Sequence, residues 1–417
     1  MGFCKRKPIS TFSTQRGIKE IEINTDRYYC FPPFHDELVT SWFARNALTF
    51  GMKPSAFATI CTQNSDAWKS DWDVYLNAET LNKLSMKCMV DEDLIKRSCF
   101  YYNCDYIYNQ TEQTPQVKWV MPLGVRTSHK NYGLQYCPFC LIEDGDRPYF
   151  RRHWRLGFMT CCPFHQNQLR DRCPSCRNPI NIKRPQKPTK RALYHPEDIA
   201  HCSKCGFDLR RTEYAPALPD EYEINRINFT QSSLGYGNAG NLDFNYSNLY
   251  FEGIRRLISF LVCSPKGEKL FLHLRNKLEL HQVYHRELIG HNVEPERLEI
   301  GLRRTALIMI YYLLRDWPDT FVDACKMNRL TSHLIKTPYL EFPFWVIDAL
   351  FFHLQHPKYS VHGEEKNNII IYLERKLGQT IKPNQISRYL NHYFSSSTQI
   401  TEEENLDENT NNNDLIT

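Results

Sequence analysis

Residues 161–176 read CCPFHQNQLRDRCPSC, which places four cysteines and a histidine close together in a chain whose other cysteines are mostly scattered. Read outward from this stretch, the sequence holds four ligand pairs, each with two residues inside the pair: Cys137/Cys140, Cys162/His165, Cys173/Cys176 and Cys202/Cys205. A turn of that length aims two side chains at one point, and two such turns facing each other complete the tetrahedron that zinc prefers. Pro138, Pro163 and Pro174 stiffen three of the turns in advance, so less chain entropy is lost when metal binds. Sequential pairing gives a Cys3His site from Cys137, Cys140, Cys162 and His165, and a Cys4 site from Cys173, Cys176, Cys202 and Cys205. A cross-braced RING arrangement would interleave the pairs, but it leaves far fewer residues between the histidine and the next cysteine pair than the stretch QNQLRDR supplies. Cys161 is the surplus residue of its doublet. Cys-Pro-x-His parallels Cys-Pro-x-Cys next door, so Cys162 is the better ligand and Cys161 is expected to pack.

Both expected zinc sites are saturated by protein ligands and therefore structural, whereas a catalytic zinc keeps an open position. No deaminase signature, H-E-x-x-H, Walker lysine loop or G-x-S-x-G occurs, so no catalytic residue is assigned and no enzyme is expected. The basic start MGFCKRK has no apolar run behind it, so neither a secretory leader nor a membrane span is readable; Arg6 stands where a myristoylation signal wants Ser or Thr. The expectation is a cytoplasmic protein without a membrane, in which 16 cysteines are thiols or metal ligands rather than disulfides. The cysteines at 4, 30, 61, 88, 99, 104, 263 and 325 lack the pair spacing and are expected to be buried packing.

Charge gathers around the cysteines. Residues 126–216 carry 17 Lys and Arg against 8 Asp and Glu, whereas the whole chain is only +5, so the remainder is net acidic. A basic surface that meets phosphates fits this distribution; a solvated face without a partner is the plainer reading. Within EDGDRPYFRRHWRLGF, Arg147, Arg151, Arg152 and Arg155 interleave with Tyr149, Phe150 and Trp154. The pattern suits stacking and phosphate contact from one side of a strand whose Trp154, Leu156 and Phe158 pack inward. Lys183, Arg184, Lys187, Lys190 and Arg191 extend the basic surface in a Pro-containing loop, suited to phosphate contact rather than base reading.

Elsewhere the pattern is helical, giving a fold class that is mainly α with small zinc-ribbon-like β elements. Residues 1–25 read as a disordered lead-in and 26–130 as an N-terminal helical domain. There FPPFHDELVTSWFARNALTFG forms a helix stopped by Gly51, and Pro54 opens the next. AETLNKLSMKC and DEDLIKRSC make a second pair, so two helix-turn-helix-like units are expected. Residues 131–215 form the tandem zinc-finger segment, 216–243 a Gly/Ser/Asn-rich linker, 244–394 a separate C-terminal helical domain and 395–417 a disordered acidic tail. In the helical domain a helix, a Gly378 turn and a helix opened by Pro383 carry Gln385, Ser387, Arg388 and Asn391 as candidate exposed residues.

The segment YCPFCLIEDGDRPYFRRHWRLGFMTCCPFHQNQLRDRCPSC resembles the TniQ family, which includes TnsD-type target selectors of bacterial transposons. It carries Tyr-Cys-Pro-x-Cys, an acidic stretch, an aromatic-Arg-x-x-Trp-Arg-Leu run, Cys-Pro-x-His and Cys-Pro-x-Cys. The Pro-rich, acidic, Ser-Trp-x-x-Arg opening at residues 31–51 is similar as well, so the resemblance spans about residues 30 to 206. It implies a non-enzymatic bacterial adaptor that links a target, either attachment-site DNA or a guide-RNA Cascade complex, to an AAA+ ATPase and through it to a transposase. A homodimer is compatible with this role. The resemblance implies the same eight zinc ligands and a positive face for nucleic acid or nucleoprotein. A zinc-stabilised DNA-binding regulator unrelated to transposition is the alternative.

Overall fold

The computed structural model describes residues 27–103, 106–107, 117–123, 133–185, 193–234, 237–239, 242–244, 247–280, 288, 293–331, 335, 342–354 and 365–386. The lead-in, the acidic tail, and Ser387, Arg388 and Asn391 lie outside the described residues. Gln385 falls in the last short turn.

Four helices build the N-terminal lobe: α1 (Val39–Thr49), α2 (Pro54–Thr62), α3 (Ala78–Cys88) and α4 (Glu92–Arg97). Local chemistry sets their ends. Gly51 takes φ +69 after α1, Pro54 opens α2, and the Asn77 and Asp91 side chains accept backbone N–H bonds at the starts of α3 and α4. The lobe has its own aromatic core, in which Phe43 meets Phe57, Trp68 and Trp72 at centroid distances of 4.9, 5.2 and 5.0 Å. Every residue of α1 from Val39 to Leu48 is buried. Its Val39, Trp42 and Phe43 face this core, while Leu38, Ala44 and Leu48 belong to the larger core beyond. Burial on both sides requires its polar residues to be paired. Arg45 donates to both Glu37 oxygens at 3.1 and 2.8 Å, and Thr40 donates from its N–H and hydroxyl to Asp73, each at 2.7 Å.

The cysteine segment contains α5 (Pro138–Glu143) and short 3-10 turns at Arg152–Arg155, Pro196–Ala200 and Leu209–Arg211. The expected ribbon strands reduce, among the described residues, to isolated bridges such as Tyr136 with Arg170 and His201 with Asp208. The two-stranded sheet, 237–239 with 242–244, lies outside the segment.

Residues 216–243, expected to be a linker, contain the 16-residue helix α6 (Pro219–Leu234). Its inner face is largely polar, with Glu221, Asn225, Asn228 and Gln231 buried beside Ile224 and Ile227, so hydrophobic periodicity does not announce it. Beyond it come α7 (Ser247–Cys263), α8 (Gly267–Lys277), α9 (Ile300–Leu314), α10 (Asp319–Met327), α11 (Phe344–Leu354) and α12 (Lys366–Leu377). A Cβ on Gly253 would lie 2.0 Å from the Trp345 ring, so glycine is what lets α11 seat its indole on α7, where Nε1 donates to Leu249 O at 3.0 Å. These helices are not a separate body. One continuous core runs from Leu38 through the cysteine segment to Ile386, with Phe158 stacked on Phe251 at 4.4 Å. Buried Arg303 donates from α9 to Gly157 O and to Gln135 Oε1.

Candidate metal centres

Three of the four ligand pairs share one backbone device. After the second ligand the chain turns through a positive φ, at Gln166 (50°), Arg177 (59°) and Gly206 (74°). Its N–H then returns to the carbonyl of the first ligand, at Cys162, Cys173 and Cys202 respectively, with N···O distances of 3.1, 2.9 and 2.9 Å. The first ligand's own N–H in turn donates to Asn167, Asn178 and Phe207, closing each knuckle. The remaining pair is built differently: Cys137 caps α5 and Cys140 lies in its first turn, with Pro138 at the first helical position, where a missing N–H costs nothing.

The donors converge in two groups, each with its atoms within 4.8 Å of one another: Cys137, Cys140, Cys162 and His165, and Cys173, Cys176, Cys202 and Cys205. In the first, Cys140 Sγ lies 3.6 Å from Cys162 Sγ, and His165 Nδ1 lies 3.7, 3.3 and 3.5 Å from the sulfurs of Cys137, Cys140 and Cys162. In the second, Cys173 to Cys205 and Cys176 to Cys202 are each 3.6 Å apart. Zinc bond lengths of about 2.3 Å to sulfur and 2.0 Å to nitrogen give tetrahedral edges of about 3.8 Å between sulfurs and 3.5 Å between sulfur and nitrogen. The donor sets therefore fit a tetrahedral ion, whereas a disulfide would require sulfurs about 2 Å apart.

His165 turns Nδ1 toward the sulfurs and Nε2 toward Glu143 Oε1 at 2.9 Å, a carboxylate that orients the ring from the last position of α5. Hydrogen bonds among the crowded thiols hold Cys137 well below the usual thiol range and drive Cys140 above it. In the second group burial opposes ionisation, but Asn178 donates from its backbone and from its amide, 3.4 Å from Sγ, and brings Cys176 down to about 7. Lys204 N–H likewise donates to Cys202 Sγ at 3.4 Å.

Cys161 is fully buried outside both groups. Its thiol donates to Glu221 O at 3.8 Å, burial pushes its pKa up, and its N–H shares Asn225 Oδ1 with that of Thr160. Tyr222 donates to Pro163 O at 3.2 Å, so α6 is the helix that backs the Cys162 knuckle. Leu169 is buried, Arg170 is half-buried, and Arg172, also half-buried, reaches Glu299.

Among the described residues, the candidate nucleic-acid residues do not form one face. Residues 152–155 are a 3-10 turn rather than a strand, so the alternation assumed for the arginines fails. Arg155 is fully buried, donating to Asp71, Asp73 and Met121 O at distances from 2.6 to 3.1 Å. Arg151 is buried against Asp144 and lies over Tyr149 and Trp154. Arg152 is half-buried, its N–H donating to Asp36 O. Lys183 is half-buried at the N-terminal lobe, where its Nζ donates to Ser70 O at 2.6 Å and its carbonyl accepts from Trp68 Nε1 at 3.0 Å. Arg147 and Arg184 are exposed; Lys187, Lys190 and Arg191 lie outside the described residues. The arginine-aromatic run thus joins the N-terminal lobe to the metal segment, helped by Leu38 N–H donating to Phe150 O at 2.9 Å and the Phe150 N–H to Ser41 Oγ at 2.8 Å.

The family model TniQ matches residues 29–169, which takes in the N-terminal lobe, this seam and the first donor group. No curated protein matches the chain.

Proposed function

Because residues 29–169 form a TniQ-family domain, we propose that this protein is a non-catalytic adaptor in DNA transposition, joining target recognition to an AAA+ ATPase and through it to the transposase. The family match is the observation that carries the reading. The seam supports it, since a lobe and a metal-stabilised segment locked by buried ion pairs make a stiff body suited to holding two partners in fixed relation. No helix among the described residues is long and apolar enough to cross a membrane. Both donor groups take Zn2+ in this reading, as closed structural sites: three or four thiolates favour a soft, tetrahedral ion, and four protein donors leave no position for a substrate.

The target is attachment-site DNA or a guide-RNA Cascade complex. Duplex DNA would be met by the second helix of an N-terminal helix-turn-helix-like pair, where α2 exposes Ser55, Ala56, Thr59 and Ile60, with Arg147 and Arg184 as the exposed phosphate contacts. Reconstitution with an AAA+ ATPase and a transposase tests the adaptor: targeted insertion requires this protein, and insertion at the same sites without it refutes the role. Gel shifts with duplex DNA and with the guide-RNA complex separate the two target modes. Charge reversal at Arg147 and Arg184 is expected to weaken whichever binding occurs, with the metal retained; unchanged binding removes these residues from the interface.

A further inference from the structure

Three cysteines outside both donor groups meet in the N-terminal lobe. Cys61 lies in the last turn of α2, Cys88 ends α3, and Cys30 belongs to the extended segment before α1. The Cys88 thiol interacts with both others, Cys61 sharing its core and Cys30 packing against that core. Cys61 and Cys88 are sealed in the lobe core at 1% and 0% exposure, whereas Cys30 is half-buried at its edge. The backbone fixes Cys30 against Cys88. Tyr28 N–H donates to Lys87 O at 2.7 Å and Cys30 N–H to Cys88 O at 3.2 Å, while Phe31 is held on α1 by Asn46 and Trp42. A direct N–H···O bond between two residues keeps their Cα atoms about 5 Å apart, within the span a disulfide bridges.

We infer that Cys30 and Cys88 are a reversible, oxidant-sensitive thiol pair, with Cys30 as the residue that meets the oxidant and Cys88 as the one that resolves it. With hydrogen peroxide, the Cys30 thiolate attacks the O–O bond, giving the sulfenic acid and, with a proton, one water. Cys88 sulfur then displaces the hydroxyl from Cys30 sulfur, releasing the second water. Two thiols and one peroxide become one disulfide and two waters. Exposure selects the order: peroxide reaches the half-buried Cys30, and Cys88 needs to meet only its neighbour. The bond would staple the segment before α1 to the end of α3, closing the chain around the aromatic core.

The test uses the full-length, metal-loaded protein treated with limiting hydrogen peroxide, alkylated and mapped without reduction by mass spectrometry. The expected result is a linked peptide joining Cys30 to Cys88 and a loss of two free thiols per chain, with bound metal unchanged. In Cys30→Ser the link and the thiol loss disappear; in Cys61→Ser both persist. The inference is overturned if Cys30 is oxidised without linking to Cys88, or if the link runs from Cys61 to Cys88 and survives Cys30→Ser. It is also overturned if thiol loss is confined to the seven metal-site cysteines, with metal release. The map of the unmutated chain decides the question even if a variant fails to fold.

Discussion

Replacing Arg155 with methionine removes the charge at the seam between the N-terminal lobe and the metal segment while keeping much of the side-chain volume. Arg155 is fully buried and bonds to two carboxylates, of which Asp73 is almost as enclosed and Asp71 keeps about a quarter of its side-chain exposure. Burial raises the Asp73 pKa despite the arginine; at Asp71 the same burial is outweighed by the Arg155 charge, which holds it below the ordinary range. Breaking a buried pair from one side costs about 3–5 kcal/mol, because the partner charge is left uncompensated. Asp71 can recover some water, which places the expected loss near the lower end, about 3 kcal/mol. Trp42, Trp68 and Trp72 lie in the adjoining core and report the lobe by fluorescence. With urea slopes of about 1–3 kcal/mol/M, the midpoint is expected to fall by about 1–3 M. Adding Asp73→Asn to Arg155→Met should recover part of that loss, since the stranded charge is then gone. A loss below about 1 kcal/mol would refute the reasoning. So would a fully stable Arg155→Met that has lost nucleic-acid binding, which would return Arg155 to the surface role its sequence context suggests.

Four further outcomes are expected. Freshly purified protein should carry two metal ions per chain, the two donor groups filled; Cys173→Ser should lose the second, whereas Cys161→Ala should keep both, as metal analysis will read. Glu143→Gln should weaken metal retention at the first group alone, by up to about 10-fold, because the carboxylate beside a ligating histidine becomes a neutral amide at an exposed position; competition with a chelator measures it. Burial lowers the His153 pKa to about 4, against an unfolded value near 6.5, so the unfolded chain binds more protons between those values. Stability from this residue is therefore complete above about pH 6.5 and lost as pH falls toward 4, by about 3 kcal/mol in all; paired denaturation curves should show a shallower acid decline for His153→Phe. Gly253→Ala must displace the Trp345 ring and should cost about 1–3 kcal/mol, seen as a lower thermal midpoint.

The metal segment was the most legible part of the chain, because ligand identity and two-residue spacing are local properties. All eight candidate donors converge, in sequential pairs, and Cys161 packs. Positive φ at Gln166 and Arg177 was not legible: neither is a residue that prefers that region, and the closing hydrogen bonds hold it there. Helices α1 and α2 followed from Gly51 and Pro54, and α3 and α4 from the segments AETLNKLSMKC and DEDLIKRSC. Helix α6 was missed because its buried face is polar, although Pro219-Asp-Glu is an ordinary helix start and could have found it. The arginine run misled for a related reason. Sequence shows that arginines and aromatics alternate, but whether a guanidinium meets phosphate or a buried carboxylate depends on Asp71, Asp73 and Asp144. Two of those belong to another lobe.

Helix α1 also has a place in time. Its inward residues wait for Phe150 and Arg155, and the turn at Pro196–Ala200 packs against it, so its complement is translated roughly 100 to 150 residues after the helix itself. On the ribosome, the Arg45–Glu37 pair and the Leu38 and Leu48 side chains must stand open while the metal knuckles are still being made. The knuckles, each closed by neighbours a few residues away, can form as they emerge. Helix α1 is thus enclosed long after it is made, and a chain stalled before residue 150 would present that helix to chaperones.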